Sequence, residues 1–134
     1  MKKMIPTPAI HLTFDVEECP SFNKNSSTTD DCFFSSQGCS ILIQLLHEYN
    51  AQATFFVTGY FAEKRPDIVK MLQRAGHEVA SHSYLHQDLR KLNLSDLKSS
   101  IQKSTEILSN VIREKISGFR SPFCRYRKDL FSLL

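Results

Sequence analysis

The sequence predicts a parallel α/β fold, built as an open sheet or as part of a (β/α) barrel. Three observations point there. Strand and helix signals alternate along the chain, apolar β-branched or aromatic runs being followed by stretches with helical apolar spacing. Gly59, Pro66 and Gly76 punctuate the boundaries between them. Asp15, His82 and Arg120, the side chains best suited to chemistry, each stand at the carboxyl end of a different predicted strand. That is where parallel α/β folds gather their functional groups.

The elements follow in order. Residues 9–14 (Ala-Ile-His-Leu-Thr-Phe) read as a buried strand ending at Asp15. Residues 19–36 read as a long polar loop, of a length usually reserved for lids or inserts, and it is placed to overhang the site that Asp15 opens. Ile41, Leu42, Leu45, Leu46 and Tyr49 then fall at helical spacing, with Gly38 and Ser40 marking the entry. Residues 53–58 are β-branched and aromatic, a second strand stopped by Gly59. Pro66 starts a second helix with the stripe Ile68, Val69, Met71 and Leu72, ended by Gly76. Residues 77–81 form a short third strand running into His82. Ser95 and Asp96 are positioned to cap a third helix carrying Leu97, Ile101, Ile107, Leu108, Val111 and Ile112. Residues 115–119 read as a fourth strand ending at Arg120, and residues 128–134 begin a further helical signal. Phe33, Phe34, Phe55 and Phe56 are expected in the core, and His11, His47 and His77 at its edge or on the surface.

Composition narrows the function classes. The chain has 134 residues, enough for one domain over residues 1–134 and too few for two. Its net charge of only +3 argues against nucleic acid or an anionic membrane as main partner. No apolar run approaches the ~20 residues of a membrane span. The positive start, Met1-Lys2-Lys3, lacks the apolar segment of a signal peptide, so a cytoplasmic location is expected. Cys19, Cys32, Cys39 and Cys124 contain no CxxC pair and are expected to be reduced thiols without a metal role.

His82-Ser83-Tyr84-Leu85-His86 places two imidazoles four residues apart, able to face one metal ion. Asp15-Val16-Glu17 supplies a further ligand and a base just after a strand. Taken singly each motif has a bland reading: histidines at this spacing occur on solvated helix faces, acids open loops, and Arg120-Ser121-Pro122 is compatible with an exposed turn. Their shared position at strand ends favours the functional one.

Thr13-Phe14-Asp15-Val16-Glu17, His82-Ser83-Tyr84-Leu85-His86 and Arg120-Ser121-Pro122-Phe123 resemble, in this order, the first three motifs of the polysaccharide deacetylase family. These are the NodB-homology carbohydrate esterases of family 4. The connecting patterns at residues 53–57 and 76–82 agree, and the resemblance extends from about residue 9 onward. It implies the amino-terminal part of a distorted (β/α) barrel. It implies a hydrolase that removes N-acetyl groups from an N-acetylhexosamine-containing polysaccharide or oligosaccharide. A divalent metal, usually zinc, is implied as cofactor, with His82 and His86 as ligands and Asp15 as catalytic base beside Arg120. The third ligand is implied to be Glu17, with Glu18 as the alternative, and the backbone N–H of Phe123 to hold the oxyanion.

One departure from the family pattern is length. Family members continue for about sixty more residues, through an acidic-tryptophan motif and a Leu-x-His motif that supplies a general acid; this sequence has no Trp. A barrel left open exposes edges and apolar surface, so self-association or a complementing carboxyl-terminal half is expected as a partner besides the N-acetylated glycan. An alternative function is a catalytically inactive carbohydrate-binding or interaction remnant of such a deacetylase.

Overall fold

Three short strands carry the fold in the computed structural model, which describes residues 10–18 and 32–134. β1 (Leu12–Val16), β2 (Ala53–Val57) and β3 (Glu78–Ser81) make one parallel sheet in the order β1-β2-β3. Val16 pairs with Val57 and Val57 with Ser81, so the strands end level with one another. The residues that follow, Glu17 and His82 among them, therefore emerge along one edge. β2 is central, and its alternate residues Ala53, Phe55 and Val57 are buried as a period-2 strand under helices requires.

The predicted fourth strand is reduced to a single parallel bridge between Ser81 and Phe119. Ser81 N–H donates to Gly118 and Arg120 N–H to Ser81, both at 2.9 Å. Lys115 and Ser117 point to solvent, and no further strand pairs with this segment among the described residues. The apolar content of the run is real, but two hydrogen bonds do not make a ladder.

Helix α1 (Phe33–Glu48) begins five residues before the expected entry, and Gly38 lies inside it. Glycine there costs helix stability of about 1 kcal/mol relative to alanine, which sixteen residues of helix absorb. The expected loop is correspondingly shorter at its carboxyl end, and its residues 19–31 fall outside the described residues. The apolar stripe is rotated from the expected one: Cys39 and Leu46 are buried and Leu42 and Ile43 pack beside them, whereas Ile41, Leu45 and Tyr49 face outward. Counting Cys39 as an apolar residue gives the spacing i, i+3, i+4, i+7 and the correct phase.

A helix the sequence reading lacked, α2 (Gly59–Lys64), follows β2 directly. Thr58 caps it, its Oγ1 accepting from Phe61 N–H at 3.3 Å, and Phe61 and Ala62 are buried beneath it. Gly59 is required by packing: a Cβ there would lie 2.9 Å from the Cα of Ser104 on the neighbouring helix. α3 (Pro66–Arg74) matches expectation, with Pro66 in the first turn and Ile68, Val69 and Leu72 buried. Gly76, at φ +85°, turns the chain into β3.

α4 (Leu94–Ile112) is capped by Asn93 rather than by Ser95 or Asp96. Asn93 Oδ1 accepts from Asp96 N–H at 2.8 Å, and Asn93 Nδ2 donates back to the Asp96 carboxylate at 2.7 Å. Its buried face is Leu97, Ile101, Ser104, Leu108 and Ile112, with Ile107 and Val111 alongside. Residues 128–132 form a 3₁₀ turn instead of the start of a helix. The main core lies between the sheet and α1–α4, and a smaller cluster of Leu89, Leu97, Ile101 and Leu130 closes the far end of α4. No helix of the described residues is long and apolar enough to cross a membrane. Cys39 carries a buried thiol whose pKa burial pushes up to about 11, and Cys124 is exposed; both are free.

Candidate metal centre

Level strand ends set the site. Thr58 N–H donates to Val16 and His82 N–H to Val57, so the ladders run one residue beyond each strand. Glu17 and His82 thereby become neighbours. Beyond His82 the backbone reverses at Ser83, held at φ +68°, and brings His86 back beside His82 with ring centroids 5.2 Å apart. The two histidines thus sit on an irregular turn and not on a helix face.

Glu17 Oε2 lies 2.8 Å from His86 Nε2 and 3.8 Å from His82 Nε2, and ligand atoms of all three residues lie within 4.8 Å of one another. Glu17 Oε2 and His82 Nε2 are buried without a hydrogen-bond partner. Orphaned polar atoms of this kind are rare in folded chains and call for a physical reason. His82 Nδ1 is 2.8 Å from the carbonyl oxygen of Arg120. A carbonyl only accepts, so Nδ1 carries the proton and donates, leaving the Nε2 lone pair aimed into the cluster. Burial pushes the pKa of both His82 and His86 down, His86 being lowered further by the neighbouring His82, which favours the neutral form of each ring. Burial first and then the charge of Asp15 push the Glu17 carboxyl up.

Asp15 is the fourth residue of β1, inside the strand and not beyond its end. Its Oδ1 accepts from Arg120 Nη1 at 2.6 Å, and its Oδ2 stands 3.8 Å from His82 Nε2. Arg120 is fixed on two further sides: Nη2 donates to Thr13 Oγ1 at 2.9 Å and the guanidinium lies 4.0 Å over the Phe56 ring. Phe56, expected in the core, is therefore only half-buried and serves as the floor under Arg120; Phe55 is the fully buried one. Neither Thr13 nor Phe56 carries a chemical signature in the sequence, although period-2 alternation puts Thr13, Asp15 and Glu17 on one side of the chain.

Glu18 points elsewhere. Its Oε1 accepts from Ser35 N–H at 3.0 Å at the start of α1, while Ser35 Oγ donates to the Glu17 carbonyl at 2.7 Å. Of the two candidate carboxylates, Glu17 is the one that faces the histidines. Phe123 lies in a tight turn (Pro122–Cys124), where it and Cys124 adopt left-handed φ values of +58° and +52°. Cys124 and Arg125 N–H close that turn onto Ser121 and Pro122. The exposed Phe123 ring lies 4.3 Å from that of His86. All six predicted site residues meet at one end of the sheet.

Comparison with known proteins gives a consistent result. The family model for polysaccharide deacetylases matches residues 2–134. A peptidoglycan-N-acetylglucosamine deacetylase of Bacillus cereus is 36% identical over 84 residues, 63% of this chain and 29% of that protein. A chitooligosaccharide deacetylase of Sinorhizobium fredii is 25% identical over 126 residues, 93% of this chain and 51% of that protein. The chain thus spans about a third to a half of these relatives. Among solved structures, a family 4 carbohydrate esterase from Streptomyces lividans in complex with acetate superposes with a TM-score of 0.73 at 24% identity, covering 92% of this chain and 56% of the esterase. A pseudoenzyme of the same esterase family from Bacillus anthracis gives 0.75 at 20%, covering 92% and 38%. Both likenesses are likenesses of fold.

Proposed function

The chain belongs to the polysaccharide deacetylase family, and we propose that it supplies the metal ligands and the base of an enzyme that removes N-acetyl groups from N-acetylhexosamine-containing glycans. The observation that carries this reading is the meeting of Glu17, His82 and His86 beside the Asp15–Arg120 pair. Relatives named as peptidoglycan and chitooligosaccharide deacetylases support the substrate class.

Two neutral imidazoles and one carboxylate suit Zn²⁺ or a similar divalent ion, and three protein ligands with an open position are the pattern of catalytic zinc sites. The unpartnered Glu17 Oε2 and His82 Nε2 are the atoms such an ion would satisfy. When bound, the ion polarises a carbonyl oxygen and lowers the pKa of water. Asp15 takes the proton of the attacking water, through the Oδ2 that Arg120 leaves turned toward His82. Arg120 holds that carboxylate in place on Thr13 and Phe56. The N–H of Phe123, in the tight turn after Arg120, donates to the oxygen that gains charge as the acetamide carbonyl is attacked.

Acetate release from an N-acetylglucosamine oligomer tests the reading. Zinc-loaded wild type is expected to release acetate, and Asp15→Asn to lose about 10²–10⁴-fold of that rate with zinc retained. Equal rates in the two would refute Asp15 as base. No release from the zinc-loaded wild type would instead favour an inactive glycan-binding remnant.

A further inference from the structure

Two serines of α4 are set against the segment that carries the histidines. Ser100 and Ser104 are one turn apart and share a helix face. Ser104 Oγ shares a hydrogen bond of 3.0 Å with Ser81 Oγ, at the end of β3. Ser100 Oγ shares one of 2.9 Å with Ser83 Oγ and accepts from Tyr84 N–H at 3.3 Å. Ser81 and Ser83 flank His82, so α4 grips the chain on both sides of that residue. Ser81, Ser83 and Ser104 are buried. Ser104 interrupts an otherwise aliphatic stripe, and a buried hydroxyl is tolerated there because its partner is supplied.

The segment needs holding. Ser83 has left-handed φ, which an L-residue keeps only when its surroundings impose it. This residue produces the reversal that returns His86 to His82. The carbonyls of Ser83 and Tyr84 are taken by the first N–H groups of α2, Gly59 at 2.9 Å and Tyr60 at 3.0 Å. Tyr84 O–H donates to Glu63 at 2.6 Å, and Lys103 Nζ lies 3.6 Å over the Tyr84 ring. The carbonyls of the turn are thus held by α2. Its side-chain hydroxyl and the next N–H are fixed by one oxygen, that of Ser100.

We propose that Ser100 is a positioning residue for the metal centre: through Ser83 and Tyr84 it sets the left-handed turn that fixes the separation of His82 and His86. The inference rests on the metal reading above. Its mechanism is geometric. Without the Ser100 oxygen, Ser83 loses the partner that keeps its side chain against α4, and the turn relaxes toward ordinary φ values, spreading the two rings.

Zinc affinity of the full chain, measured by chelator competition, tests this on wild type, Ser100→Ala and Ser100→Thr. The melting of each metal-free protein is measured alongside. Ser100→Ala is expected to bind zinc about 10–100-fold more weakly, the usual effect of losing a group that orients a ligand. Alanine is the better helix former, so α4 itself is not weakened. Ser100→Thr, which keeps the hydroxyl, is expected to bind as wild type. Wild-type affinity in Ser100→Ala would overturn the proposal, as would equal loss in both variants, or a fall in metal-free stability large enough to account for the loss. A wild-type chain that binds no zinc would overturn the metal reading itself, and this inference with it.

Discussion

Glu17 and Glu18 are adjacent and chemically alike, yet their surroundings give them different work. Alternation along the extended chain turns Glu17 to the side of Asp15, where it meets both imidazoles, and turns Glu18 toward Ser35. Glu17→Gln is therefore expected to lower zinc affinity together with His82→Ala and His86→Ala, while Glu18→Gln retains wild-type stoichiometry. Metal analysis of the four purified variants checks this, and loss of metal in Glu18→Gln alone would reverse the assignment. The raised Glu17 pKa makes protons competitors for the proposed site, so zinc affinity is expected to fall as the pH is lowered, which chelator competition across pH measures.

At the scale of elements, the link into β3 buries a titratable group with no catalytic assignment. His77 is packed against Phe55, ring centroids 5.2 Å apart, and neither ring nitrogen has a hydrogen-bond partner. Burial lowers its pKa in the folded chain. Between the folded and unfolded values the unfolded chain binds the proton, so stability rises with pH there. The contribution of His77 is complete above the ordinary imidazole value of about 6.5 and is lost as the pH falls through the folded value. His82 and His86 act in the same direction, and Glu17 in the opposite one, because its raised value makes the folded form the better proton binder. For the metal-free protein, the melting temperature of His77→Leu is expected to fall less steeply than that of wild type between pH 8 and pH 5. Matching slopes would show that His77 does not titrate on unfolding.

For the whole molecule, the sheet edge at β1 is open among the described residues, with Ile10 88% exposed. A sheet of three strands with an open edge gains proportionately from any ligand that ties two strand ends together. Zinc held as proposed, by Glu17 after β1 and His82 after β3, would do this across the width of the sheet. Zinc at a hundred times its dissociation constant is expected to stabilise the folded chain by about 2.7 kcal/mol, if only the folded state binds it. Thermal melting with zinc and with a chelator measures the difference. Identical midpoints would exclude a folded-state metal site.

The sequence by itself determined the parallel α/β class, the position of α3 and the carboxyl end of α4. It also marked Asp15, His82, His86 and Arg120 as candidates through motif spacing at strand ends, which is a property of the chain alone, while Glu17, with Glu18 as its alternative, and Phe123 came from the family resemblance. Tertiary structure decided what depends on partners distant in sequence. Residues 115–119 carry a strand's composition, but a strand exists only by pairing, and here it finds a single bridge at Ser81. The apolar stripe of α1 takes a different phase from the expected one, because the side that faces the sheet is chosen by packing and includes Cys39. α2 is only six residues long, too short for periodicity to announce it, and is held by the Thr58 cap and by contact of Gly59 with α4. The choice of Glu17 over Glu18 needed the level ends of β1 and β3, and the carbonyl of Arg120 that orients the His82 ring and the hydroxyl of Ser100 that holds Ser83 lie 38 and 17 positions from the residues they hold. No local pattern encodes such pairs, since hydrogen bonds between remote segments form only once the chain has packed.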